Sequence, residues 1–221
     1  MVTFEVLFKQ HRGRHSSKWQ HYFEVYNRHL TRFCNQSITL LEIGVGKGGS
    51  LQIWKKFLGP EAKIIGIDID PELAFLEPQI QTFTGSQSDT SFLQSVIDRV
   101  GKIDVVIDDG SHVQSDILTS FELLYPVLSN GGVYIIEDCH TSYWPRFQGG
   151  VDSHMNVVDI MSRSVHDVNS KWFNKPKRIN ISNLDSMHFY DSMIVFEKRQ
   201  SSYKRMMVDV DSNGPRVIET V

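Results

Sequence analysis

The sequence predicts an α/β fold organised on a doubly wound, mostly parallel sheet, and three observations carry that reading. Four short apolar runs, ITLLEIGVG, AKIIGIDID, IDVVIDDG and GGVYIIED, begin at Ile38, Ala62, Ile103 and Gly131. They lack polar alternation, as strands buried on both faces do. Residues 50–58, 90–100 and 114–128 lie between them with helical periodicity, and Gly59-Pro60, Gly101 and Asn130-Gly131-Gly132 punctuate their ends. Two closing runs, SMHFYD and MIVFEKR, separated by little more than Ser192, read as an antiparallel hairpin.

Taken in order, the first residues, MVTFEVLFKQHRGRH, lose their apolar character after Phe8 and carry no secretion-signal pattern. Residues 18–34 place Trp19, Tyr22, Phe23, Tyr26 and Leu30 on one helical face, which predicts a single amphipathic helix. The strand and helix alternation then occupies residues 38–138, with Ser50 the expected cap of the first helix inside it. An aromatic, glycine-containing loop follows over 140–150, then a predicted helix over 153–173 and the hairpin. The tail from Gln200 is polar apart from 206–210 and receives no assignment. This divides the chain into an N-terminal helical extension or lid (1–37), the α/β domain (38–199) and a C-terminal tail (200–221).

Composition narrows the function classes. An apolar share of 40% with 22% charged residues supports one packed core and argues against disorder. Lys plus Arg at 23 against Asp plus Glu at 26 gives net −3, which provides no positive field for nucleic acid. No apolar stretch approaches a membrane span. Cys34 and Cys139 show no metal-type spacing, so a reducing, cytoplasmic setting is expected.

The glycine-rich turn Gly44-Val-Gly46-Lys-Gly48-Gly49 closes the first strand and opens a helix. Glycines there let the backbone turn tightly and a ligand approach. Asp68 ends the next strand, where a carboxylate holds two ribose hydroxyls, a geometry that suits NAD and S-adenosylmethionine alike. Glu42 favours the methyl donor, because a carboxylate before the glycines repels a pyrophosphate and attracts the ammonium of a methionine moiety.

These motifs resemble, in order, those of class I S-adenosylmethionine-dependent methyltransferases, in particular the metal-dependent macrolide-sugar O-methyltransferases of the mycinamicin type and the related cephalosporin hydroxylase-like group. LEIGVGKGGS is similar to the family's first motif, IIGIDID to its second, GSQSDTSFL to the segment under the adenine, VVIDDGSH to its fourth, GGVYIIEDCHTSYW to its fifth, and MHFYDSMIVFEK to its closing hairpin. HSSKWQHYFEVY resembles a GTDKW-type segment that helps close the cofactor site, with Gly and Asp missing. The resemblance implies a Rossmann-like sheet of seven strands and cofactor contacts from Glu42, Gly44, Gly46, Gly48, Asp68, Asp70, Ser86, Gln87 and Asp108. It also implies a sugar-containing acceptor and an assembly of dimer or tetramer size. The larger macrolide enzymes carry an additional N-terminal domain, for which 221 residues leave no space.

Asp108-Asp109 and Glu137-Asp138 fall at the carboxyl ends of strands that are adjacent in such a fold. Converging carboxylates repel one another, and a hard divalent cation relieves the repulsion, so Asp109, Glu137 and Asp138 are the expected Mg²⁺ ligands. His112, three residues past Asp109, is the expected general base, with His140 the second candidate. Tyr143 and Trp144 offer flat faces to a sugar. The expectation is an S-adenosylmethionine- and Mg²⁺-dependent O-methyltransferase. Two alternatives stand beside it: an NAD-dependent oxidoreductase, which leaves the carboxylates without a task, and a non-catalytic S-adenosylmethionine-binding protein.

Overall fold

A computed structural model describes residues 2–169, 181, 183–200, 206–211 and 214–219. The chain opens with α1 (Phe4–Gln10) and α2 (Tyr22–Leu30), then alternates β1 (Thr39–Ile43), α3 (Gly49–Leu58) and β2 (Lys63–Asp68). A two-residue strand β3 (Leu76–Glu77) and β4 (Ile80–Thr84) precede α4 (Thr90–Val100), β5 (Ile103–Asp108), α5 (Gln114–Val127) and β6 (Leu128–Ile136). Short helices α6 (Val157–Arg163) and α7 (Val165–Val168) lead to the hairpin β7 (Leu184–Tyr190) and β8 (Met193–Lys198). Strands β9 (Met206–Asp211) and β10 (Gly214–Glu219) pair with each other in a separate two-stranded sheet.

The main sheet has the order β3-β4-β2-β1-β5-β6-β8-β7. Its centre is parallel, and β3, β7 and β8 run antiparallel to their neighbours. It holds eight strands against the seven implied by the family resemblance; sequence runs mark six, β4 is the seventh, and the short edge pair β3 is the eighth. The chain winds outward from β1 through β2 to β4, then returns to place β5 on the other side of β1. Ligands bind outside the carboxyl ends of strands at such a reversal.

Alternate side chains of the central strands enter two cores, as a period of two requires. Leu40, Ile64, Val105, Val133 and Val195 face α1, α2 and α3, while Leu41, Ile65, Val106, Tyr134 and Phe196 face α4, α5 and α6. The first core absorbs the N-terminal region. Phe4 is fully buried, with its ring centroid 4.4 Å from Trp54 and 4.8 Å from Tyr26. Residues 1–37 therefore include structural helices of the domain as well as any covering segment.

Three expectations are corrected in detail. The predicted helix over 18–34 reduces to α2 plus a 3-10 turn at Thr31–Phe33, because residues 11–19 run as an irregular segment across the sheet's carboxyl edge. The cap of α3 is Gly48 in the left-handed region (φ 87°), and Ser50 turns its hydroxyl onto Glu42 instead. The predicted helix over 153–173 begins at Val157 under an Asn156 cap and breaks at Ser164; its last part lies outside the described residues. The apolar stripe of α2 is covered within the chain, with Tyr22, Phe23, Tyr26 and Leu30 all buried.

Helix α2 is also tied to the hairpin. His29 Nδ1 lies 2.6 Å from Glu197 Oε1 and its Nε2 lies 2.9 Å from the Tyr190 hydroxyl. The hydrogen bond from His29, with help from Arg32 and against burial, holds the Glu197 carboxyl down at about 2. Among the described residues no helix is long and apolar enough to cross a membrane.

Candidate active site

Two cavities adjoin at the carboxyl ends of β1 and β5. The larger, about 630 Å³, is lined by Ser17, Lys18, Trp19, Tyr22, Gly44, Gly46, Asp68, Asp109, Gly110, His112, Glu137 and Asp138. The smaller, about 180 Å³, shares Gly44, Asp68 and Gly110 with it and adds Ile69, Ser86, Gln87 and Asp116. Together they form one cleft that runs over the glycine turn.

The turn depends on missing side chains. Gly44 has φ 90°, and a Cβ there would stand 2.0 Å from the Asp109 carbonyl oxygen, whereas a Cβ at Gly46 would meet nothing within 4 Å and would project into open space. Asp68 holds the turn in shape: its Oδ2 accepts the backbone N–H groups of Val45 at 2.9 Å and Gly46 at 3.1 Å. We expect Gly44→Ala to cost about 1–3 kcal/mol in denaturant unfolding, because β1 and β5 must separate or the backbone must remain strained. Unaltered stability would show that the close approach is dispensable.

The acid cluster is organised around a buried cation. Lys18 Nζ donates to Asp109 Oδ2 at 2.6 Å and Glu137 Oε2 at 2.7 Å, and lies 3.5 Å from Glu42 Oε1. Burial opposes its charge, yet Asp109, Glu137 and Glu42 outweigh that and hold the ammonium well above its usual range. Glu137 Oε1 accepts from the Tyr26 hydroxyl at 2.6 Å. Burial pushes the Glu137 carboxyl up, against the pull of Lys18. Glu42 is fully buried behind this group, its remaining valences met by Ser50 at 2.6 Å and Trp54 at 3.2 Å, and burial raises its carboxyl as well.

Opposite Lys18 lies a second grouping. His112 Nε2 stands 3.9 Å from Asp109 Oδ1 and 3.7 Å from Asp138 Oδ2, and these three residues present ligand atoms within 4.8 Å of one another. The Tyr22 hydroxyl, 2.7 Å from Asp138 Oδ1, steadies that carboxylate. Both His112 (φ 59°) and Asp138 (φ 53°) occupy left-handed backbone, which non-glycine residues adopt uncommonly.

Of the residues singled out from sequence, Gly44, Gly46, Asp68, Ser86, Gln87, Asp109, His112, Glu137 and Asp138 line the cleft. Others do not. Asp70 caps the turn at Pro71–Leu73, and Gly48 packs under the Phe75 ring. Asp108 is buried behind the cleft, bonded to Ser120, Gln87 and Tyr134, and burial raises its carboxyl. His140 bonds Ser192 Oγ and stands 4.0 Å from Asp138 Oδ1, while Tyr143 and Trp144 are exposed. Lys18 was missed by sequence reasoning. Trp19 and Tyr22, read only as a helical stripe, also line the cavity. The HSSKW segment was the available signal, since its similarity to a cofactor-closing segment already placed Lys18 near the cleft.

Comparison with known proteins shows what the chain is similar to in sequence and fold. A family model described as a methyltransferase domain matches residues 41–139. The chain is 35% identical over 204 residues to the 8-demethyl-8-alpha-L-rhamnosyl tetracenomycin-C 2'-O-methyltransferase of Streptomyces olivaceus, covering 86% of this chain and 54% of that one. It is 44% identical over 134 residues to the mycinamicin VI 2''-O-methyltransferase of Micromonospora griseorubida, covering 58% and 33%. The solved structure of the MycE methyltransferase from the mycinamycin biosynthetic pathway, in complex with Mg, SAH and mycinamycin VI, superimposes with a TM-score of 0.80 at 29% identity, over 91% of this chain and 55% of that one. The chain thus spans about half or less of the length of these relatives. Residues 41–139 thus match the methyltransferase domain, and in sequence and fold alike the chain is similar to macrolide-sugar O-methyltransferases.

Proposed function

We propose that this protein is an S-adenosylmethionine- and Mg²⁺-dependent O-methyltransferase acting on a hydroxyl of a sugar or polyol in natural-product or glycan biosynthesis. The observation that carries the reading is the juxtaposition of His112 Nε2 with free oxygens of Asp109 and Asp138 on the wall of a cleft that also passes over the glycine turn. The matched relatives named for their reactions are O-methyltransferases of sugar-bearing natural products, which favours this chemistry over the oxidoreductase alternative.

The residues fit both groups. The open face of Gly46 and the Asp68 carboxylate suit the donor, with its nucleoside in the smaller cavity beside Ile69, Ser86 and Gln87. Glu42, fully buried beneath the cleft, would contribute negative charge near the methionine end from a distance. Convergent carboxylate oxygens suit a hard cation that keeps several positions for water or substrate. Asp109, Glu137 and Asp138 would hold it. When bound, such a cation neutralises negative charge and lowers the pKa of a coordinated hydroxyl. The cleft orients the acceptor diol, and Trp19 and Tyr22 shield it from water. His112 Nε2 would then take the hydroxyl proton, and the acceptor oxygen would take the methyl group as its bond to sulfur breaks and S-adenosylhomocysteine leaves, so that catalysis is mostly positioning. Tyr143, Trp144 and His140 form the outer rim that a larger acceptor reaches.

Calorimetry with S-adenosylmethionine and its demethylated product tests the donor assignment. Asp68→Ala removes both the clamp on the turn and a charged acceptor for ribose hydroxyls, worth about 1.5–3 kcal/mol, or roughly 10- to 150-fold in affinity. Unchanged affinity, or binding of NAD alone, would sink the reading. Assembly into a dimer or tetramer is carried by the edge strand β7, where Phe189 is exposed. Light scattering should give a mass above the 25.4 kDa chain, and a monomer mass would remove that expectation.

A further inference from the structure

The proposed metal ligands and the lysine among them cannot be satisfied together. Lys18 Nζ fills the space between Asp109 Oδ2 and Glu137 Oε2, at 2.6 and 2.7 Å, on a side chain only 3% exposed. Mg²⁺ holds carboxylate oxygens at about 2.0–2.1 Å, so a cation bridging the same two oxygens would overlap the ammonium. Glu137 has no spare oxygen to offer, because Oε1 is committed to the Tyr26 hydroxyl.

We propose that Lys18 is a displaceable internal cation, which neutralises Asp109 and Glu137 in the metal-free protein and is evicted when a divalent cation binds. This rests on the metal reading given above. Three further observations support it. The carboxylates are the only groups that bond the Lys18 ammonium among the described residues, so its position is set by their charge rather than by a dedicated socket. Without a cation, the buried Glu42 and Glu137 and the partly buried Asp109 would face one another uncompensated, a costly arrangement. The segment that carries Lys18 is irregular, is flanked by the exposed Trp19, and borders a cavity of about 630 Å³ into which the side chain can swing. Metal entry and movement of the covering segment are therefore one event.

The test uses Mn²⁺ as the probe, with free ion followed by electron paramagnetic resonance, and acetylation of Lys18 by an N-hydroxysuccinimide ester followed by peptide mass spectrometry. In the unaltered chain, Lys18 should resist acetylation in EDTA and become reactive when Mn²⁺ saturates the site. Lys18→Met should bind Mn²⁺ about tenfold more tightly or better, because a competitor that holds the site closed lowers the apparent affinity by the fraction it occupies. Persistent protection of Lys18 with Mn²⁺ bound overturns the proposal, and so does equal or weaker affinity in Lys18→Met. Should that variant not fold, the acetylation pattern of the unaltered chain decides alone. Failure to bind Mn²⁺ at all removes the metal reading and this inference together, whereas bound Mn²⁺ with a protected Lys18 removes only the displacement.

Discussion

Asp138→Asn should lower methyl transfer by about 10³-fold while S-adenosylmethionine still binds within about threefold of the unaltered affinity, and EDTA should have the same effect. Asn is the informative substitution: it tolerates the left-handed backbone at φ 53° and keeps an acceptor for Tyr22, so the fold is spared while the charge is lost. Asp138 reaches the cleft from the end of β6 and does not line the smaller cavity proposed for the nucleoside. Turnover and donor binding should therefore separate cleanly. Activity lost in EDTA should return with Mg²⁺. Full activity in EDTA would remove the metal from the mechanism, and loss of donor affinity in Asp138→Asn would move Asp138 to the donor site.

His112→Asn should cost about 10²- to 10⁴-fold in turnover, with metal and donor binding retained, and part of the loss should be recovered at high pH. The reasoning is geometric. His112 Nε2 is the group nearest both free carboxylate oxygens that does not itself bring a negative charge to the site. Hydroxide can replace a base but cannot replace a ligand, so pH rescue distinguishes this variant from Asp138→Asn. A rate unaffected by His112→Asn would hand the proton to His140, which lies 4.0 Å from Asp138, or to solvent.

The sheet was legible because its central strands are buried on both faces and are therefore written as uninterrupted apolar runs. Helix α4 was legible to the residue, since Asp89 caps it by accepting the N–H groups of Ser91 and Phe92 and Gly101 ends it. Strand β4 was not legible, because near the sheet's edge its sequence IQTFT mixes polar and apolar residues with no continuous run. Helix α1 was missed for another reason: at seven residues it is too short to announce itself, and the burial of Phe4 against Trp54 and Tyr26 holds it. The carboxylates and glycines of the cleft could be read in advance because each follows a recognisable strand. For Lys18 the HSSKW segment gave a position near the cleft but not a role, because its partner Asp109 lies 91 positions away. Asp70 and Trp144 share motifs with cleft residues, and in the structure Asp70 caps the turn at Pro71–Leu73 while Trp144 is exposed outside the lining of the cavity.

The left-handed conformations of His112 and Asp138 bear on any attempt to harden this protein by selection. Each holds a bulky or charged side chain where glycine would rest without strain, at a cost of order 1 kcal/mol or more per position. A library screened for heat resistance alone should therefore enrich glycine or asparagine at these two positions, and those survivors should be the ones that no longer turn over substrate. Stability and activity would thus be traded at two identifiable positions, and a screen that fixes both beforehand can improve the rest of the chain without meeting that conflict.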